Sequence, residues 1–461
     1  MSSSSGRAGS TAVCVPSTAR RPPRSTSIRT PRASIALAAV QAAIDAAAAQ
    51  GGAVRLAGGT FVCGTLYLKS NVALEITSSA TLLASPDIAD YGTDTHHNRY
   101  RNEPELDRCF LFAQDAENVT ICGSGVIDGN AAAFPNAGSI YRPMLLRVLR
   151  CRNVRVQNLR LLNAAAWTTA FLDSDFIWAT DLHIENHRNY NGDGLDFDGC
   201  RHVWVRGCYI DGTDDNLCLQ SSGLPVQDVH ISDCAFTSVC AGIRIGLKSI
   251  GEISGVVISN CTMRNIWREG IKLECTEGGS ITDILVENVT MHNVRRPIFA
   301  ILNNRYRPDD LGSSVELDHI PPIGTMARLR FVGITAVDDE EMAHAQRRFG
   351  NDIMGEPKFG GCRFDANTDH PIENVTIRDF RYTAIGGVRL ADLPAAPYPE
   401  VPDRLQAPTV PGSENYYPNW SRTTHLDARY VRGLTLENLH FITLHPDERP
   451  KMLTEGPTVM L

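Results

Sequence analysis

Apolar residues along this chain follow two successive periods. Between Ser34 and about Gln50, Ile35, Ala38, Ala39, Ala42, Ile44 and Ala46 recur at helical spacing, and Gly51-Gly52 follows. With Ser34 as its cap, this predicts an Ala-rich amphipathic helix over residues 34–50. Beyond it the period falls to two. Val54, Leu56, Phe61, Val62, Leu66, Leu68, Val72 and Leu74 sit in short apolar runs parted by Gly and Ser-Asn turns, which predicts short strands.

A repeat then emerges, reading roughly x-N/D-V-x-I/V-x-N/D-C/L-x-I/L. Clear copies are Cys151–Leu161 (CRNVRVQNLRL), Ser174–Ile184, Cys200–Ile210, Val226–Phe236, Ile253–Met263 and Ile281–Met291. Diverged copies lie at Ala116–Val126, Ile372–Tyr382 and Val431–Phe441. The equivalent residues Val154, Ile177, Val203, Val229, Val256 and Ile284 are separated by 23, 26, 26, 27 and 28 residues. A strand-rich repeat of this length predicts a solenoid. It is too rich in strands for ankyrin or tetratricopeptide units, lacks a leucine-rich framework, and is too short for a propeller blade of about 40 residues. A coil of a parallel β-helix fits, in which like residues stack into ladders. The fold class expected is therefore all-β, a parallel β-helix over 34–445, with the first helix covering its exposed end. Residues 303–371 break the period with charged, Pro- and Gly-rich sequence and are expected to form a loop excursion; 446–461 read as a C-terminal tail.

Composition narrows the function classes. The chain has 461 residues, 43% hydrophobic and 21% charged, with a net charge of −8. That balance argues against nucleic acid, whose phosphates demand a basic face. No run of 18 apolar residues predicts a membrane-spanning helix. Met1–Ala33 is rich in Ser, Arg, Pro and Thr and lacks a secretory apolar core, so it reads as a disordered tail or as residues upstream of the natural start. Thirteen cysteines form no CxxC pair. Cys208, Cys234 and Cys261 share one repeat position with Leu159 and Leu182, which points to buried packing rather than disulfides or zinc.

The chemistry concentrates in NGDGLDFDG (191–199) and, one coil later, GTDDNLCLQS (212–221). Asp193 and Asp214 are 21 residues apart, close to one coil, so they fall on neighbouring rungs. Carboxylates crowded together cannot all ionise; one becomes a proton donor while another stays a base, the division of labour that glycosidic hydrolysis needs. Asp196, Asp198 and Asp211 are expected to serve turns. Calcium is a rival use of Asp-rich turns, but the tandem Gly-Gly-x-Gly-x-Asp pattern is missing. His183, His187 and His202 are expected to be structural.

NGDGLD followed by GTDD resembles the polygalacturonase family, glycoside hydrolase family 28. TLYLKSNVALEI with ATLLAS (65–85), AENVTICGSGVIDGN (116–130) and RPMLLRVLRCRNVRVQNLRLLNAAAW (142–167) are similar to coils of its bacterial members. The resemblance spans roughly 34–445. It implies a right-handed parallel β-helix, hydrolysis with inversion, Asp214 as general acid, Asp193 and Asp215 as the residues activating water, an oligo- or polysaccharide substrate, and no metal or organic cofactor.

Departures accompany the match. The family's Gly-His-Gly aligns with Cys240-Ala241-Gly242, so Ala241 replaces the histidine. Its Arg-x-Lys aligns with Lys272-Leu273-Glu274, and Trp-x-x-His reads Trp167-Thr168-Thr169-Ala170. Glu274 would repel an acidic sugar; Arg244, on the same strand as Gly242, restores one positive charge. Lys272 and Glu274 are expected either to pair with each other or to touch substrate, as are Asn191 and Arg244 to touch it. The altered groups point to a neutral or differently decorated pectin-related glycoside. A β-helix lyase or epimerase, and a non-catalytic carbohydrate-binding solenoid, are the alternatives.

Overall fold

The computed structural model describes residues 26–28, 33–95, 104–135, 142–305, 317–341, 360–395 and 420–456. The N-terminal tail lies outside them except for a short strand, Thr26–Ile28, paired with Val54–Leu56. All described strands join a single parallel β-helix, as the repeat predicts, and it is right-handed, as the family resemblance implies. Each coil contributes strands to three stacked ladders. One ladder runs through Met144–Leu149, Thr169–Leu172, Leu195–Asp198, Leu217–Ser221 and Ile243–Ser249. It carries the site described below.

The register explains the repeat. Val119, Val154, Ile177, Val203, Val229, Val256, Ile284, Leu329, Val375 and Leu434 pair rung to rung in one column. All are buried, so identical apolar positions generate one continuous core. The two N/D positions of the unit are backbone signals. Asn153, Asp228 and Asp283 before the column, and Asn158, Asp233 and Asn288 after the strand, adopt left-handed φ of 51–59°. Asn and Asp tolerate that conformation best among residues with a Cβ. The chain bends there on every coil, and the bends define the corners of the tube.

The helix spans Ala33–Ala48. Ala36, Val40 and Ile44 are buried on the first coil. Gln41 donates to the Tyr67 carbonyl (3.0 Å) and accepts its N–H (2.8 Å), satisfying an exposed edge of the solenoid. No helix among the described residues is long and apolar enough to cross a membrane.

The segment 303–371 differs from expectation. It contains a full coil strand, Thr325–Val337, paired on one side with Ser280–Leu302 and on the other with Ile372–Gly386. Met326, Leu329, Phe331 and Ile334 face the core. The insertion between Ile284 and Leu329 stretches the spacing to 45 residues and hid the strand from the period. Met452–Glu455, in the stretch set apart as a tail, pairs with Leu426–Arg429 and adds a last rung. All twelve described cysteines are free, and eleven are buried. Cys208, Cys234 and Cys261 stack inside the tube as expected.

Candidate active site

Two consecutive turns bring the acidic motifs together. The Gly194 N–H bonds to the Asp215 carbonyl (3.1 Å) and Leu195 N–H to that of Asn216 (2.9 Å), so NGDG and GTDD lie on adjacent rungs. The approach is too close for a side chain at Gly194, where a Cβ would stand 2.3 Å from the Asn216 carbonyl oxygen. Thr213 staples the turns: its hydroxyl donates to the Asn189 carbonyl (2.6 Å) and accepts Gly192 N–H (3.0 Å). Asn191 takes the left-handed conformation (φ 55°), and its side-chain oxygen accepts from Arg142 Nη2 at 2.7 Å. The structure thus commits that oxygen to the framework.

Asp193 and Asp215 are 2% and 0% exposed, while Asp214 is half-buried with an edge in solvent. One oxygen each of Asp193 and Asp215 and the Cys218 sulfur lie within 4.8 Å of one another; so do oxygens of Asp214 and Asp215 with the Cys240 sulfur. Asp215 Oδ2 pairs with Arg244 Nη1 at 2.7 Å, and Oδ1 accepts the Ala241 N–H at 3.2 Å. Asp214 Oδ1 accepts the Asp215 N–H at 3.0 Å, while Ser238 Oγ donates to the Asp214 carbonyl at 2.5 Å. The main chain of the acid pair is therefore fixed from both sides.

Asp196, expected in a turn, instead lies on the strand Leu195–Asp198 and points outward between inward Leu195 and Phe197. Its column continues through Cys218, Arg244 and Lys272 on successive rungs. Asp196 is 3% exposed, so it belongs to the buried acidic group. The alternation of the strand was the available signal. Asp198 does support a turn, accepting from Ser222 N (2.8 Å) and Oγ (2.6 Å).

Sequence reasoning also missed Arg268 and Glu269. Lys272 Nζ stands 3.3 Å from Glu274 and 3.8 Å from Glu269, and Arg268 Nε stands 3.5 Å from Glu269. Lys272 and Glu274 are almost fully buried. Of the two expectations for them, the mutual ion pair is what the geometry contains.

These surroundings separate the carboxyls electrostatically. Burial, then the Asp215 charge, pushes Asp214 up to about 6. Burial and the neighbouring Asp214, Asp196 and Asp215 charges push Asp193 well up; burial pushes Asp196 up as well. Burial acts on Asp215 too, but Arg244, Lys272 and Arg268 together hold it below the ordinary carboxylate value. Asp214 is thus a proton donor near neutrality beside the firmly ionised Asp215, with Asp193 and Asp196 also pushed toward their neutral forms. A hard cation fits poorly: each converging set offers two carboxylates and a thiol, whereas calcium takes six to eight oxygens, and Arg244 already neutralises Asp215.

Comparison with known proteins agrees with this architecture. A polygalacturonase from Ralstonia solanacearum is 32% identical over 143 residues, covering 28% of this chain and 27% of that protein. A probable polygalacturonase from Vitis vinifera is 27% identical over 225 residues, covering 43% of this chain and 44% of the relative. The chain spans about two fifths of the length of the first curated relatives it matches. Among solved structures, the exopolygalacturonase of Thermotoga maritima superposes with a TM-score of 0.61 at 18% identity, over 88% of both chains. The polygalacturonase of Erwinia carotovora gives 0.61 at 19%, over 80% of this chain and 96% of the other. At that identity these two show the shared fold. The model of the glycosyl hydrolases family 28 matches residues 63–316, more than half of the sequence, and the chain belongs to that family.

Proposed function

We propose that this chain is an inverting glycoside hydrolase acting on a pectin-related poly- or oligosaccharide. The observation that carries the reading is the convergence of Asp193, Asp214 and Asp215 on adjacent rungs, with Arg244 paired to Asp215 at 2.7 Å and Asp214 at the solvent edge. Burial and the Asp215 charge push Asp214 up to about 6, while the cations hold Asp215 down. Asp214, at the solvent edge, donates its proton to the glycosidic oxygen as the bond to the anomeric carbon breaks. A water between Asp193 and Asp215 attacks that carbon from the opposite face and gives its proton to Asp215. Oxygens of these two residues lie within 4.8 Å, a gap that one water spans with two hydrogen bonds of about 2.8 Å. Asp193, pushed toward its neutral form, orients the water; Asp215 is the base. Proton exchange with solvent resets the pair. Single displacement inverts the anomeric centre.

The substrate reading follows from the neighbouring rungs. Lys272 is engaged with Glu274 and Glu269, and Arg244 with Asp215. The groups that replace the family's Arg-x-Lys are thus turned toward one another, which favours cleavage beside a neutral or differently decorated sugar. That the matched relatives are named polygalacturonases supports the pectin class. The test is a panel of acidic and neutral wall oligosaccharides, read by the appearance of reducing ends. Turnover of a neutral or branched member above that of oligogalacturonate is expected. Preference for unbranched oligogalacturonate contradicts the substrate assignment, and loss of no activity in Asp193→Asn, Asp214→Asn and Asp215→Asn contradicts the mechanism.

A further inference from the structure

We propose that Glu269 is a positioning residue for this hydrolysis, holding the Arg268 and Lys272 cations behind the acid pair from two rungs further along the helix. The inference rests on the acid–base reading above. The Glu269 carbonyl accepts the Gly242 N–H at 2.9 Å, which places Glu269 one rung beyond Ala241. Ala241 in turn donates its own N–H to Asp215 Oδ1. The Glu269 side chain is therefore one layer removed from the reacting carboxylates.

That side chain is fully buried. Oε2 lies 3.5 Å from Arg268 Nε and 3.8 Å from Lys272 Nζ, and Oε1 lies 3.7 Å from Arg296 Nη1. Neither oxygen accepts a close hydrogen bond. Packing does not require such an arrangement, because an apolar side chain fills a solenoid wall without desolvating a charge. The cations it gathers act on the catalytic pair across the intervening rung. Arg268 Nη1 contacts the Cys240 sulfur at 3.4 Å, and Cys240 converges with Asp214 and Asp215. Lys272 stands opposite Arg244 in the ladder, and Arg244 holds Asp215. Glu269 thus sets both the place and the net charge of the cationic wall behind the two aspartates, where Ala241 leaves no titratable ring.

The groups facing the acid pair fix the sign of the test. Asp193 and Asp196 act from the preceding rung, the Cys218 thiol from their own, Cys240 and Arg244 from the next, and Arg268 and Lys272 from the one after that. Neutralising Glu269 removes a negative charge from behind the cations. Their field on Asp214 grows, and its proton leaves at lower pH.

The measurement is the pH profile of kcat for full-length wild type, Glu269→Gln and Glu269→Asp on an oligosaccharide that the wild type cleaves. Glu269→Gln is expected to lower kcat about tenfold with KM within about twofold, and to move the alkaline limb down by about half a unit or more. Glu269→Asp, which keeps the charge, restores the limb. A purely structural residue leaves the limb in place. Arg268→Gln provides the opposite sign, moving the limb to higher pH, and decides the matter if Glu269→Gln does not fold. A folded Glu269→Gln with the wild-type limb, or an unmoved or lowered limb in Arg268→Gln, overturns the proposal. Absence of turnover by the wild type removes the hydrolytic reading and this role with it, whereas normal turnover with unmoved limbs removes the role alone.

Discussion

Replacing Asp214 by Asn should abolish hydrolysis and yet stabilise the fold at neutral pH. The carboxyl rises from 3.8 to about 6, roughly two units, because burial and the Asp215 charge disfavour its ionised form. At about 1.4 kcal/mol per unit this is ~3 kcal/mol of strain in the ionised native state. Asp214 keeps an edge in solvent, and screening there reduces the figure to about 1–2 kcal/mol. The sign is fixed by linkage. A carboxyl whose folded value is raised favours the folded state below its unfolded value, and that advantage is lost as pH rises through the folded value near 6. Asn avoids the loss. Thermal denaturation of Asp214→Asn should therefore show a Tm higher by a few degrees at pH 7, with the difference shrinking toward zero by about pH 3. The same variant should lose 10²–10⁴ in kcat, the contribution typical of a general acid. A Tm at pH 7 equal to or below that of wild type, or a gain that persists undiminished at pH 3, rules out this electrostatic origin.

Other consequences follow from the same geometry. Wild-type activity should fall as pH rises through about 6, where Asp214 deprotonates, and persist on the acid side to below the ordinary carboxylate value, where Asp215 finally takes a proton; a pH–rate profile measures both limbs. Arg244→Gln removes the 2.7 Å partner of Asp215, so the acid limb should move up by 1–3 units, the range for a carboxylate losing an adjacent cation. Phe197 is fully buried and stacks on Phe171 at 5.0 Å; Phe197→Ala should cost about 3–5 kcal/mol in denaturant unfolding. Activity assayed after exhaustive treatment with a chelator should be unchanged, since the proposed hydrolytic step uses carboxyls alone; a loss restored by calcium points instead to elimination.

Much of the fold was legible because a solenoid converts sequence period directly into register. The column from Val154 to Ile284 is the one the spacing predicts, and Asn or Asp at the corners is a local requirement for left-handed backbone. The strand Thr325–Val337 was not legible, since an insertion alters spacing without altering the coil it leads to. Asp193, Asp214 and Asp215 stood out because like charges one rung apart need a reason beyond packing. Asp196, Arg268 and Glu269 did not. On a strand, an outward charge ordinarily signals a solvated face, and only the stacked neighbours reveal that these are buried. The repulsion expected from Glu274 was likewise incomplete, because its neutralisation by Lys272 at 3.3 Å is a matter of side-chain placement within one strand.

The single-displacement hydrolysis proposed for Asp214 and Asp215 leaves a stereochemical mark on the first product released. Proton NMR over the opening minutes of cleavage of a pectic oligosaccharide reads that mark before mutarotation erases it. The new reducing end should appear in the anomeric configuration opposite to that of the bond cut. A product of retained configuration, or an unsaturated sugar in place of a reducing end formed with water, contradicts the mechanism.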